Sequence, residues 1–233
     1  MRANKIGRGK LIVIEGTDGS GKETQSLRLR DRFHQEGFAF GMFSFPRYET
    51  PIGNVIKRYL GKSPYRQEFG PANEVDAKIA STWFALDRLT ASPEIESMLD
   101  RGISAVCNRY VESNMAHQGG KIKDKKERNE LIRWLEEFEH NTLKIPRADL
   151  VVFLYMPYKI AEELREKRVL AVDGHEGNPE HLMNAERTYL ELADRFNWKR
   201  INCAPDGTRS SLKTIEQIGD EVYSIVSRAL QNT

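Results

Sequence analysis

Residues Gly16 to Lys22 read G-T-D-G-S-G-K, and the G-x-x-x-x-G-K spacing suits a phosphate-binding loop. Glycine lets the backbone curl so that successive N–H groups point inward at phosphate oxygens. A helix starting at the loop's end adds partial positive charge. Lys22 then reaches the β- and γ-phosphates and follows charge as it develops. The nucleotide-contacting set read from this loop is Gly16, Thr17, Asp18, Gly19, Ser20, Gly21, Lys22, Glu23 and Thr24. The residue after the lysine normally carries a hydroxyl for Mg²⁺. Here it is Glu23, and Thr24 comes one place late. Glu23 has two readings: a carboxylate that holds Mg²⁺ directly or through water, or a solvent-facing acid favoured in the first turn by the helix dipole. Asp18 is a second acid close to the expected metal, which nucleotide and water would mostly hold.

Three further segments carry chemistry by type and placement. Phe45-Pro46-Arg47-Tyr48 ends an apolar stretch, at the edge where parallel sheets bind ligands. An arginine fork there suits a phosphate dianion. Phe84 and Arg88 stand four apart and share one helix face. Asn108-Arg109-Tyr110 closes another apolar run and leaves an amide and a cation at its end. Arg165, Lys167 and Arg168 end a helix and lead into V-D-G-H-E-G-N-P at Val172 to Pro179, the best candidate for a mobile loop. Those cations either complete the phosphate site when a lid closes or satisfy a helix dipole.

The elements that must position these groups alternate along the chain. Lys10 to Glu15, Ala39 to Phe45, Ile103 to Cys107, Asp149 to Tyr155 and, more weakly, Trp198 to Cys203 are short apolar runs that predict strands. Between them, helical spacing covers Lys22 to Glu36, Ile52 to Leu60, Pro71 to Thr90, Pro93 to Arg101, Asp124 to His140, Tyr158 to Lys167 and Asn178 to Phe196. Asp124 to His140 reads as an amphipathic surface helix with Leu131, Trp134, Leu135 and Phe138 on one side. A terminal helix covers Ser210 to Leu230, with Ser210 or Ser211 as its N-cap. This order predicts an α/β fold of three layers, a five-stranded parallel sheet flanked by helices, in one domain over residues 1–233 with a small lid near 165–180.

Composition narrows the function classes. A net charge of +2, from 36 Lys+Arg against 34 Asp+Glu, argues against a general nucleic-acid or membrane-surface binder. Two cysteines, Cys107 and Cys203, offer no metal-ligand spacing, and a reduced cytoplasmic setting is the default expectation. The apolar run after the basic start, Leu11 to Ile14, is too short for a signal peptide or a membrane span.

Glu15 to Lys22 (E-G-T-D-G-S-G-K), Phe45 to Tyr48 (F-P-R-Y), Phe84 to Arg88 (F-A-L-D-R), Asn108 to Gly119 (N-R-Y-V-E-S-N-M-A-H-Q-G) and Asp173 to Glu176 (D-G-H-E) occur in one order that resembles thymidylate kinases. The resemblance implies a P-loop kinase fold, phosphoryl transfer from ATP to dTMP with Mg²⁺, and a homodimer. It implies catalytic roles for Lys22, Arg109, Asp18 and Arg168. Phe45, Pro46, Arg47 and Tyr48 would approach the dTMP phosphate. Phe84 would stack on thymine while Arg88 donates to its O4 acceptor, a choice that favours a keto oxygen over an amine. Arg109 would bridge the two phosphates, and Ser113 and Asn114 would touch the N3 edge. His117 stands where many relatives carry Tyr; it is either a neighbour of the sugar or a partly buried histidine with a structural hydrogen bond. Gln118 is a similar case. Asp173 and Glu176 match acidic lid positions near the sugar and metal, with His175 between them. The metal set would be Asp18, Glu23, Asn108 and Glu176. Asn108 departs from the family's aspartate, keeping a carbonyl ligand and losing the charge. Two other readings stay open on these departures: a kinase for another pyrimidine monophosphate, and a nucleotide-binding relative without turnover.

Overall fold

The computed structural model describes residues 7–62, 64–166 and 178–231. Five strands, β1 (Leu11–Gly16), β2 (Phe40–Ser44), β3 (Ser104–Asn108), β4 (Leu150–Tyr155) and β5 (Lys199–Asn202), form one sheet in the order β2-β3-β1-β4-β5. Every pairing is parallel. β1 is buried at all six positions, as expected of a strand covered on both faces. Its side chains alternate between two cores. Leu11 and Val13 join the one under α3 (Ala77–Asp100), α4 (Val111–Gly120), α5 (Lys125–Glu136) and α7 (Pro179–Arg195). Ile12 and Ile14 join the other, under α1 (Lys22–Gln35), α6 (Tyr158–Glu166) and α8 (Ile215–Gln231). A short helix, α2 (Pro51–Leu60), packs on α3 through a smaller cluster that includes Tyr59.

The predicted helices at Pro71 to Thr90 and Pro93 to Arg101 are one helix, α3, that runs through Pro93. Proline removes one helical hydrogen bond and normally kinks or ends a helix. Burial of Ala91, Ser92, Ile95 and Leu99 on the sheet side outweighs that loss here. Its start is later than the spacing suggested, because the Asp76 carboxylate accepts from Lys78 N (2.9 Å) and Ile79 N (3.1 Å) and caps the helix. The terminal helix also starts later. Ser210 and Ser211 lie in a 3₁₀ turn, Arg209–Ser211. The cap is Thr214: its hydroxyl accepts from Gln217 N (3.2 Å), and Gln217 Oε1 accepts from Thr214 N (2.8 Å). α4 has no apolar stripe in sequence because nine of its ten residues are buried, so no periodicity marks it. After α5 the chain continues in a π-helical turn, Glu137–Thr142.

In register, Ser44 lies beside Asn108, and Asn108 beside Ile14. The carboxyl ends of β2, β3 and β1 therefore meet on one edge, with the starts of α1 and α4 directly beyond it.

Candidate active site

The loop between β1 and α1 is built around close backbone approach. A β-carbon on Gly16 would lie 2.6 Å from Leu154 O, so only glycine fits. Gly19 and Gly21 have φ of 81° and 80°, in the left-handed region that glycine enters freely. Thr17 Oγ1 donates to Met156 O (2.6 Å) and accepts from Met156 N (3.0 Å), tying the loop to the end of β4. Lys22 is buried and its Nζ donates to Gly16 O (2.9 Å) and Thr17 O (3.0 Å), 3.7 Å from Asp18 Oδ1. Ser20 Oγ is buried without a hydrogen-bond partner among the described residues.

Asp18 and Arg109 join the loop to β3. Arg109 Nη2 donates to Asp18 Oδ1 at 2.6 Å. Burial alone would raise the Asp18 pKa, but Arg109, Lys22 and His117 hold it well below the usual carboxylate range. Burial likewise works against the Arg109 charge and Asp18 overrides it. Arg109 Nη1 lies 3.2 Å from His117 Nε2, and His117 Nδ1 lies 3.2 Å from His181 Nε2. Guanidinium only donates, so His117 Nε2 accepts and its proton sits on Nδ1. Burial, countered in part by Asp18, pushes the His117 pKa well down. His117 therefore contacts Arg109 and His181, and it also lines the cavity between the loop and α4.

A cavity of about 410 Å³ opens between these groups and α3 and α4. Asp18, Glu23, Phe45, Pro46, Tyr48, Phe84, Arg88, Asn108, Arg109, Ser113, Asn114, His117 and Gln118 line it. Arg47 does not. Its Nε donates to Asp87 Oδ1 (3.1 Å), its backbone N to Asp87 Oδ2 (2.8 Å), and its Nη2 to Asp87 O (2.6 Å) and to Thr90 Oγ1. Asp87 is buried and needs donors, so it and Thr90 hold three of the five guanidinium N–H groups of Arg47, while Nη1 makes no hydrogen bond among the described residues. The cation on the wall beside Tyr48 is Lys62, its Nζ 4.7 Å over the Tyr48 ring. Ser113 Oγ donates to Glu15 Oε2 (2.8 Å) rather than facing a ring edge. Arg88, 2% exposed, reaches the cavity with three N–H groups already engaged by Glu139 and Tyr110 O. Lys167, Arg168, Asp173, His175 and Glu176 lie outside the described residues; Arg165 lies in the last turn of α6.

Two buried carboxylates escaped the sequence reading. Glu15 accepts from Tyr110 N, Ser113 Oγ and Tyr189 Oη at 2.8–2.9 Å. It fastens the start of α4 to β1. The signal was a charge at the end of a doubly buried strand, which must be partnered. Glu139 follows Leu131 and Leu135 at four-residue spacing, so it continues the apolar stripe where a carboxylate needs explaining.

A curled anion loop at the edge of a parallel sheet, with a cation bridge to a cavity lined by amides and rings, defines a P-loop nucleotide kinase. A family model, thymidylate kinase, matches residues 14–215. The human thymidylate kinase is 26% identical over 228 residues, covering 96% of this chain and 92% of that one. The Schizosaccharomyces pombe enzyme is 30% identical over 227 residues, covering 96% and 94%. A solved thymidylate kinase from Candida albicans superposes with a TM-score of 0.71 at 23% identity, covering 95% of this chain and 92% of that one. The chain belongs to the thymidylate kinase family.

Proposed function

We propose that the protein transfers the γ-phosphoryl group of ATP to dTMP, giving dTDP and ADP for dTTP synthesis. The observation that carries this reading is the pairing of two sites on one sheet edge. The anion loop over Lys22 faces, across Arg109, a cavity whose far wall presents Phe84, Arg88 and Asn114. No residue has to act as a covalent nucleophile, because an oxygen of the acceptor phosphate attacks. The protein's tasks are alignment and neutralisation of charge that develops between the phosphates. Lys22 and Arg109 supply that charge, and Asp18 holds both cations in place. Lid cations, Arg168 among them, would complete it and exclude water on closure.

The family uses a divalent cation with ATP. Mg²⁺ takes oxygen ligands and keeps several waters. Asn108 Oδ1 is buried without a partner among the described residues, and Glu23 and Asp18 line the same cavity, so the donor set fits such an ion. Among the described residues no group of three or more His, Cys, Asp or Glu forms a dedicated cage, which fits an ion carried in by the nucleotide. When bound, Mg²⁺ would neutralise charge on the ATP phosphates. The reading includes a cytoplasmic setting and a homodimer, as the resemblance implies. No helix among the described residues is long and apolar enough to cross a membrane.

A coupled ADP-release assay with ATP and Mg²⁺ tests the activity across dTMP, dUMP, UMP and dCMP. The expected result is turnover with dTMP at the highest kcat/KM. Absence of dTMP-dependent ADP release from folded protein sinks the reading.

A further inference from the structure

Glu139 has no part in the phosphate chemistry, yet it grips two groups of the acceptor cavity at once. It sits in the π-helical turn that follows α5 and is wholly buried. Turns of this kind recur at functional sites. Its Oε2 accepts from Arg88 Nε at 2.6 Å and its Oε1 from Arg88 Nη2 at 2.6 Å. The same Oε1 accepts from Asn114 Nδ2 at 2.9 Å. The second Asn114 contact runs from Nδ2 to Ser81 O at 3.1 Å.

This network fixes the orientation of an amide. Ser81 O can only accept, and Glu139 Oε1 already accepts from Arg88 Nη2, so the nitrogen of Asn114 must face them. Its Oδ1 is thereby turned the other way. Asn114 lines the cavity, and its Oδ1 has no hydrogen-bond partner among the described residues. A buried carbonyl left in that condition calls for a donor from elsewhere. Arg88 has five N–H groups, of which three are engaged, leaving two. Stability does not account for the carboxylate: a buried ion pair roughly breaks even against apolar residues of similar volume.

We infer that Glu139 is a positioning residue for base selection, holding the Arg88 fork and the Asn114 amide so that the cavity offers an N–H donor beside a carbonyl acceptor. That pattern complements the 4-keto oxygen and N3–H of thymine. It opposes the 4-amino group and bare N3 of cytosine. The inference rests on dTMP being the acceptor.

The test uses Glu139→Gln and Glu139→Asp, each confirmed as folded by a cooperative melt, with kcat and KM measured for dTMP, dCMP and ATP. In Glu139→Gln the new amide N–H₂ must face Arg88 or Asn114 Nδ2, donor against donor. KM for dTMP should rise at least about tenfold, and the ratio of kcat/KM for dTMP over dCMP should fall at least about tenfold. KM for ATP should stay within about twofold. Glu139→Asp keeps a charge near Arg88 but withdraws from Asn114, so it should restore part of the dTMP affinity and still lower the ratio. Should Glu139→Gln fail to fold, the ratio in Glu139→Asp decides. A folded variant that keeps the wild-type ratio, with both monophosphates slowed in parallel or not at all, overturns the inference. A wild-type protein that does not phosphorylate dTMP overturns the functional reading itself, and that result needs no variant.

Discussion

Asn108 holds an uncharged amide where the family pattern has an aspartate, and its Nδ2 donates to Ser44 Oγ at 2.8 Å, which leaves Oδ1 buried and unpartnered among the described residues. Glu23 brings a carboxylate to the same cavity from the first turn of α1. Relative to that pattern, the cavity lacks a carboxylate at the end of β3 and has one in the first turn of α1. If the two changes compensate, Asn108→Asp leaves turnover within about threefold, while Glu23→Ala lowers it about tenfold, the loss of one charge-assisted contact. Glu23→Ala should also weaken ATP binding in calorimetry with Mg²⁺ present and leave binding without Mg²⁺ unchanged. Equal indifference to both substitutions removes the case for compensation. Much of this site was legible in sequence: the loop glycines and Lys22 by type and spacing, Phe84 and Arg88 by their shared helix face, and Arg109 and Asn114 by the family resemblance. What was not legible is pairing. Arg47 and Arg88 look alike as phosphate or base readers, and only the positions of Asp87 and Glu139 show which carboxylate holds each fork.

α2 acts as a clamp on the segment that forms the cavity's outer wall. A β-carbon on Gly53 would fall 1.8 Å from Arg47 O and 2.9 Å from Tyr48 Cα, so the helix rests directly on that backbone. Thr50 caps the helix by accepting from Gly53 N at 3.0 Å, which fixes the approach from the other end. Gly53→Ala must push α2 and the Phe45–Tyr48 segment apart. Overpacking of this kind costs about 1–3 kcal/mol, or roughly 2–10 °C in melting temperature for a chain of this size. The displaced wall should raise KM for dTMP and leave KM for ATP unchanged, since the anion loop lies on β1. An unchanged melt and an unchanged dTMP KM together would contradict the clamp. The sequence showed α2 but not this contact, because a helical glycine looks the same whether it meets solvent or backbone. The five strands were readable for the opposite reason: apolar runs between turn signals are local. α4 was not, since a helix buried on every side has no polar face to set its period. Pro93 misled for a related reason. Its local cost is real, and it is the packing of Ile95 and Leu99 on distant strands that carries α3 past it.

Burial of ionisable groups on both sides of β1 gives the folded protein a pH dependence with two limbs. On the acid side, Asp18 opposes its own burial through Arg109 and Lys22 and is held below its ordinary 3.8. A depressed carboxylate contributes stability above its unfolded pKa and loses it as pH falls through the folded value. On the other side, Glu112 in the first turn of α4 is pushed from 4.5 up to about 8, by burial first and by the neighbouring Glu15 second. Its folded form binds the proton more tightly than the unfolded chain does. Between pH 4.5 and about 8 the unfolded state therefore holds fewer protons, and unfolding becomes easier as pH rises. This contribution is complete below 4.5 and gone above about 8. Glu112→Gln fixes the neutral form in nearly the same shape and removes that limb. Unfolding free energies from pH 5 to 9 should fall more steeply in the wild type than in the variant, by an amount on the order of a few kcal/mol at the alkaline end. The acid limb should be shared by both proteins, because Asp18 is untouched. Parallel profiles above pH 5 would mean that Glu112 ionises in the folded state as readily as in the unfolded chain, and that burial beside Glu15 does not hold its proton in place.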